Sequence, residues 1–329
     1  RLALGRVDAV LEPSPARREP ACPHHGVNGQ QCGGCPWQFV DYPAQLQAKQ
    51  NQLARRLRAM GDVQDVLQPP IGAPEEWGYR NRTQLKTDGQ QIGYVAAASR
   101  QLAPVDDCSV LSAANRAHLS RLRQQLPNAD WRPARKHLWR TLDIDDELAS
   151  VSVDKRLPFR QGNSAQNERM RAWLAHQIQG LDCDGLVLEL FAGSGNFTTV
   201  LAEHFDAITA VEGDMSAVAA LNARALPGVS AMAVDLFDER ALDSLAKRQA
   251  TTRVLVLDPP RDGLKIRLPL LRRLRALEVV IYVSCDGATW QRDVSDFIAG
   301  GLVPRQVQLI DLFPQTPHYE VLSVLTRAG

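Results

Sequence analysis

LVLELFAGSGNFT, residues 186–198, decides the fold. Five residues of near-continuous apolar character read as a buried strand, and a helical pattern resumes at Thr198. Between them Gly193 and Gly195 fill a tight strand-to-helix turn. Small residues there let a backbone approach a ligand at the carboxyl end of a parallel sheet. Thr198 stands where a dinucleotide fingerprint would carry its third glycine, which weakens a pyrophosphate-binding reading.

Outward from this turn, helical and apolar strand patterns alternate. Strands are expected over 185–190, 207–211, 229–234, 254–257, 279–283, 303–312 and 321–326. Helices are expected over 167–179, 198–204, 216–225, 268–277 and 289–299. Such alternation predicts an α/β fold with a doubly wound, mostly parallel sheet, here ending in an antiparallel pair. Toward the N-terminus the pattern is less regular. A strand over 1–11 runs into a proline-broken linker over 13–20, followed by a cysteine-rich loop and a helix over 42–60. Asp88-Gly89 between 83–86 and 91–95 signals a hairpin, a helix is expected over 111–126, and 130–160 reads as a β-rich connector. Three units follow: 1–20, 21–163 and 164–329.

A chain of 329 residues with 44% hydrophobic content has material for about two globular cores. No stretch approaches the roughly 18 apolar residues of a membrane helix. No signal peptide is apparent, so the cysteines are expected reduced in the cytoplasm and available to metals or catalysis. Opening at Arg1 suggests that an N-terminal piece is missing. Net charge is +1, and the basic residues gather around 49–58, 132–140 and 261–275. These clusters read either as solvated helix faces or as a phosphate-contacting surface.

Glu212 ends the second strand in AVEGD, where a carboxylate can hold both ribose hydroxyls of a nucleoside cofactor. Asp235, after the third strand, can reach an adenine amino group. A glycine turn with acids at these two strand ends is the usual arrangement for S-adenosylmethionine. LVLDPPRDGL places Asp258 in a rigid proline loop at the next strand end, and YVSCDGATW delivers Cys285 to the same rim. A thiol there is expected to be activated by neighbouring positive charge, because the thiolate is the nucleophile. Carbon-5 of uracil attacks a methyl sulfonium only after a nucleophile has added at carbon-6, and its proton must then leave to a base. Glu320, in PHYEVL, is the candidate base.

In CPHHGVNGQQCGGCPW the thiols of Cys22, Cys32 and Cys35 crowd a glycine-rich loop suited to a soft metal centre. His24 and His25 lie close by in sequence, which keeps zinc open as the metal. Cys183 reads as structural.

These motifs together resemble the RNA uracil-5-methyltransferases over nearly the whole chain. FRQGN is similar to that family's F-x-Q-x-N segment, implying a cofactor and target role for Gln161 and base packing for Phe159. LFAGSGNFT adds Phe191 and Asn196 as implied cofactor contacts beside Glu212, and LDPPR implies that Asp258 lies at the cofactor and base site. SCDGATWQRD implies Cys285 as nucleophile, and LFPQTPHYEVL implies Glu320 as the proton-abstracting base. The C…CxxC loop with a later lone cysteine implies a 4Fe-4S cluster on Cys22, Cys32, Cys35 and Cys108. A class I S-adenosylmethionine-dependent methyltransferase with a small N-terminal iron–sulfur and β-rich region is thus expected. It would act as a monomer on RNA, 23S rRNA first and the transfer RNA T-loop second, with no membrane partner. Residues 7–20 resemble only the tail of a TRAM-like barrel, and 108–159 is short for the family's central domain. Two rivals remain: an amino-methyltransferase that uses Asp-Pro-Pro, and a non-catalytic RNA-binding protein on a degenerate methyltransferase fold.

Overall fold

A computed structural model describes residues 9–26, 31–61, 64–148, 150–155, 157, 159–179, 181, 185–265 and 267–327. Cys183 and most of the strand expected over 1–11 lie outside these residues, and 9–11 are not in a strand.

The first helix, α1 (Tyr42–Ala59), starts at Asp41, whose carboxylate accepts the N–H of Ala44 at 2.8 Å. It buries Gln45, Lys49, Leu53 and Leu57, one residue every fourth position along a single face. After it comes a five-stranded antiparallel sheet of β1 (Arg82–Thr87), β2 (Ile92–Val95), β3 (Leu102–Pro104), β4 (Arg140–Asp145) and β5 (Ser152–Val153). Its strand order is β3-β2-β1-β4-β5, and α2 (Ala113–Gln124) contributes Leu119 and Leu122 to its core. The Asp88-Gly89 hairpin forms as expected, with Lys86 opposite Gly93.

α3 (Ser164–Gln179) opens the second half of the chain. The large sheet follows as β6 (Leu186–Leu190), β7 (Ile208–Glu212), β8 (Val229–Ala233), β9 (Thr252–Leu257), β10 (Val279–Ser284), β11 (Leu302–Ile310) and β12 (Glu320–Arg327). The intervening helices are α4 (Thr198–Leu201), α5 (Met215–Asn222), α6 (Glu239–Arg248), α7 (Arg267–Arg273) and α8 (Gly287–Ala299). Strand order is β11-β12-β10-β9-β6-β7-β8; the last five in that order are parallel, and β12 pairs antiparallel with β10 and β11. The central strands are largely apolar because helices cover both faces of a parallel sheet. β3 and α6 form where the sequence pattern predicted no element.

The chain winds outward from β6 to β8 and then returns to place β9 beside β6. This reversal is a topological switch point, where a crevice opens at the carboxyl ends of the strands. α1 crosses to this half of the molecule: Leu53 and Leu57 join the core formed by Leu188, Leu255, Val280 and Trp290.

Candidate active site

Gly193 and Gly195 turn the chain out of β6 with φ of 56° and 95°. A Cβ at Gly195 would come within 2.6 Å of Leu221, so glycine is required there, whereas the space above Gly193 is open. Glu212 clamps this turn from the end of β7. Its carboxylate accepts N–H groups of Gly193 at 2.9 Å, Gly213 at 2.7 Å and Asp214 at 3.0 Å. Phe191, itself at φ 64°, packs tilted against Phe237 with ring centroids 6.0 Å apart. Asn196 exchanges side-chain hydrogen bonds with Asn167 of α3 at 2.9 and 3.0 Å. Asp235 is exposed and accepts the N–H of Phe237 at 2.9 Å. Open space over Gly193 thus adjoins the Glu212 carboxylate, with the Phe191 and Phe237 rings on the same rim. These residues fit an S-adenosylmethionine molecule.

Beyond β9 and β10 the same rim carries the expected catalytic groups. Asp258 N–H reaches back to the carbonyl of Leu190 at 3.4 Å, fixing the proline loop against the glycine turn. Thr289 of α8 donates its hydroxyl to the Arg261 carbonyl at 2.8 Å and holds the other end of that loop. Asp286 caps α8 through the N–H groups of Ala288 and Thr289, so Cys285 sits between a strand end and a helix start. Burial pushes the Cys285 thiol up to about 12, Glu320 and Asp258 push it further up, and Arg261 opposes them. Burial, with Asp258 nearby, lifts Glu320 to about 8, and burial lifts Asp258 to about 7. The surroundings of Cys285 therefore favour the neutral thiol; Arg261 is present, but burial and two carboxylates outweigh it. Positive charge alone does not activate this thiol as expected.

The FRQGN segment stands nearby but is less fully drawn in. The Gln161 carbonyl accepts Asn81 Nδ2 at 2.8 Å, and a Cβ at Gly162 would lie 3.5 Å from the Phe313 ring. Phe159 is 66% exposed and belongs to no core cluster among the described residues.

Cys22, Cys32, Cys35 and Cys108 line one cavity, together with His24, His25, Gln38, Trp77 and Tyr94. Gly33 lets the cysteine loop press on the small sheet: a Cβ there would come within 2.8 Å of the Ala97 Cα. Tyr94 donates to Cys108 Sγ at 3.8 Å. Burial raises the Cys32, Cys35 and Cys108 thiols, Cys35 to about 12, and their neighbouring thiols add to it. Among the described residues no three His, Cys, Asp or Glu groups are gathered tightly enough to hold one metal ion. Four thiols nonetheless line this one cavity, an all-sulfur donor set. His24 does not join as a donor; it pairs with Asp106.

Several residues of this region went unmarked in the sequence. Glu189, inside β6, is buried against the Thr198 hydroxyl at 2.6 Å, and burial raises it to about 8. An acid within the apolar run LVLEL was its available signal. Lys49, grouped by sequence with the surface basics, is instead fully buried and paired with Asp311 at 2.8 Å. Gln315 is also fully buried, with φ 71°, and nothing in the sequence marked it.

The sequence profile of the tRNA (Uracil-5-)-methyltransferase family matches residues 134–328. An uncharacterized RNA methyltransferase of Nitrosomonas europaea is 40% identical, the match spanning 99% of this chain and 84% of that protein. The 23S rRNA (uracil(1939)-C(5))-methyltransferase RlmD of Pseudomonas putida is 30% identical over 100% of this chain and 84% of its own length. In fold, the chain is similar to the Pyrococcus abyssi tRNA (uracil-54, C5)-methyltransferase, solved with S-adenosyl-L-homocysteine. The TM-score is 0.72 at 18% identity, covering 98% of this chain and 91% of that one. The carboxyl-rim crevice, the sheet order and these matches agree: the chain belongs to the RNA uracil-5-methyltransferase family and is an S-adenosylmethionine-dependent enzyme that acts on RNA.

Proposed function

We propose that this enzyme methylates carbon-5 of one uridine in 23S rRNA through a covalent bond between Cys285 and the base. The observation that carries this reading is the meeting of Cys285, Glu320, Asp258 and Arg261 at one strand rim. Gln161, Phe191, Asn196, Glu212, Asp235 and Asp258 hold the cofactor, and Phe159 packs on a uracil turned out of its stack. Bound S-adenosylmethionine supplies an electrophilic methyl group above the glycine turn.

Cys285 gives its proton to solvent as the uracil arrives and adds to carbon-6, and the resulting enolate attacks through carbon-5, taking the methyl group and leaving S-adenosyl-L-homocysteine. Glu320 then removes the carbon-5 proton. The electron pair of that C–H bond re-forms the C5–C6 double bond and expels the Cys285 thiolate. A carboxyl lifted to about 8 is suited to this step, being a stronger base than an ordinary glutamate. The large-subunit substrate is favoured by the 30% identity to the Pseudomonas putida enzyme over the whole chain.

Glu320→Gln should stall after methyl transfer, with RNA bound to Cys285 as a slow band on a denaturing gel that carries cofactor-derived label. Cys285→Ala should make no product. Methylation that persists in Cys285→Ala would return the amino-methyltransferase. Labelling 23S rRNA and transfer RNA separately, from a strain lacking the gene, distinguishes the two RNA classes.

We also propose that Cys22, Cys32, Cys35 and Cys108 hold a 4Fe-4S cluster, supported by four thiols lining one cavity. Protein purified without air should be brown, with iron and acid-labile sulfide, and Cys108→Ser should bleach it. Stoichiometric zinc without sulfide sinks this assignment. The proposed units are 1–20, 21–163 and 164–329, the last opening on α3.

A further inference from the structure

The segment between β11 and β12, from Asp311 to Tyr319, leads into Glu320 at the start of β12 and is gripped largely from the N-terminal half of the chain. Lys49 of α1 donates to Asp311 Oδ1 at 2.8 Å and to the Phe313 carbonyl at 3.1 Å. The Tyr79 hydroxyl donates to the Pro314 carbonyl at 3.0 Å. Gln315 gathers the rest. Its Oε1 accepts Gln45 Nε2 at 2.9 Å and Arg18 Nη2 at 3.0 Å, and its Nε2 donates to Glu76 at 3.2 Å. Its N–H donates to Gln45 Oε1 at 2.8 Å, and its carbonyl accepts the Trp37 N–H at 2.9 Å.

None of these partners lines the thiol cavity itself, but several adjoin residues that do. Trp37 lies between Cys35 and Gln38, and Gln38 and Trp77 both line the cavity. Arg18, which holds Gln315, also donates to the Gln38 carbonyl at 3.2 Å and stands 5.9 Å over the Trp77 ring. Tyr79 follows Trp77 by two residues. Gln315 adopts a left-handed φ of 71° despite its side chain, a conformation that persists only where the surroundings over-determine it.

We infer that Gln315 and Tyr79 are positioning residues that seat the Glu320 loop on the wall of the thiol cavity, so that a filled cavity sets the proton-abstraction step. This rests on the proposed roles of Glu320 and the four cysteines. Methyl transfer depends on Cys285 and the cofactor cleft, and the bonds of the Gln315 side chain and the Tyr79 hydroxyl reach no residue assigned to either. Disturbing the grip should therefore slow release of the methylated base and leave transfer nearly intact.

Single-turnover reactions with RNA read both rates, methyl transfer from the label and release from decay of the gel-stable adduct. Gln315→Gly removes the side-chain bonds and accepts the positive φ without strain, and Tyr79→Phe removes one hydroxyl. In each, transfer should stay within about twofold while release slows about ten- to a hundredfold, the cost of a small misplacement of a catalytic group. Iron content should be unchanged in both. Protein stripped of iron by chelator, and Cys35→Ser where it folds, should accumulate the same adduct. Equal loss of both rates in Gln315→Gly marks a merely structural role and overturns the inference. So does rapid release in Gln315→Gly, Tyr79→Phe and stripped protein while Glu320→Gln traps its adduct. If Glu320→Gln itself traps nothing, the covalent mechanism fails instead.

Discussion

At the scale of single residues, the catalytic rim works by keeping charges uncomfortable. Cys285 is held as a thiol, and Glu320 shares its buried surroundings with Asp258. A base must be deprotonated to act, and Glu320 is mostly protonated below about 8. The rate of adduct release should therefore climb about tenfold per pH unit below that value and level off above it. Replacing Asp258 with Asn removes a neighbouring negative charge, so the whole profile should move to lower pH; a profile that stays put excludes Glu320 as the titrating group. Free Cys285 should also react slowly with iodoacetamide near neutral pH, because so little thiolate is present.

At the scale of elements, α1 carries two different seams on one face. Its second half buries Leu53 and Leu57 in the large core, while its first half sends Gln45 and Lys49 to the loop before β12. Burial lowers Lys49 and raises Asp311, the direction expected when two ions leave water, and their mutual attraction opposes both shifts. Removing one partner strands the other, so Lys49→Met alone should cost about 3–5 kcal/mol of stability by urea denaturation. The double replacement Lys49→Met with Asp311→Leu should recover much of that loss. A single replacement as stable as wild type would show that the pair is not held in the dry interior.

For the molecule as a whole, α1 belongs to the N-terminal half of the chain yet packs into the core of the large sheet. Leu53 and Leu57 are fully buried among residues of β6, β9, β10 and α8 although they lie more than a hundred residues earlier in sequence. Leu53→Ala should cost about 2–5 kcal/mol. The loss should appear in calorimetry as a downward shift of one cooperative transition shared by the small sheet and the large one. Two separated transitions, only one of them moved, would place α1 in a single half.

The alternation after residue 164, the glycine turn and the acids at successive strand ends were all visible in the sequence, because they follow from local periodicity and from φ values that few residues tolerate. Cys285 and the three loop cysteines were likewise nameable from residue type and spacing, whereas Cys108 and the role of Glu320 drew on the family resemblance. What tertiary structure alone decided is how these groups feel one another. Arg261 lies in a plainly basic stretch, yet burial and two carboxylates set the state of the Cys285 thiol. Lys49 reads as a surface cation in a row of basics and is instead sealed against Asp311, 262 positions away. Gln315 is an ordinary glutamine in sequence and becomes a junction between the cysteine loop and the Glu320 loop. Residue type and local spacing are written along the chain, whereas desolvation and long-range pairing exist only once distant segments have excluded water between them.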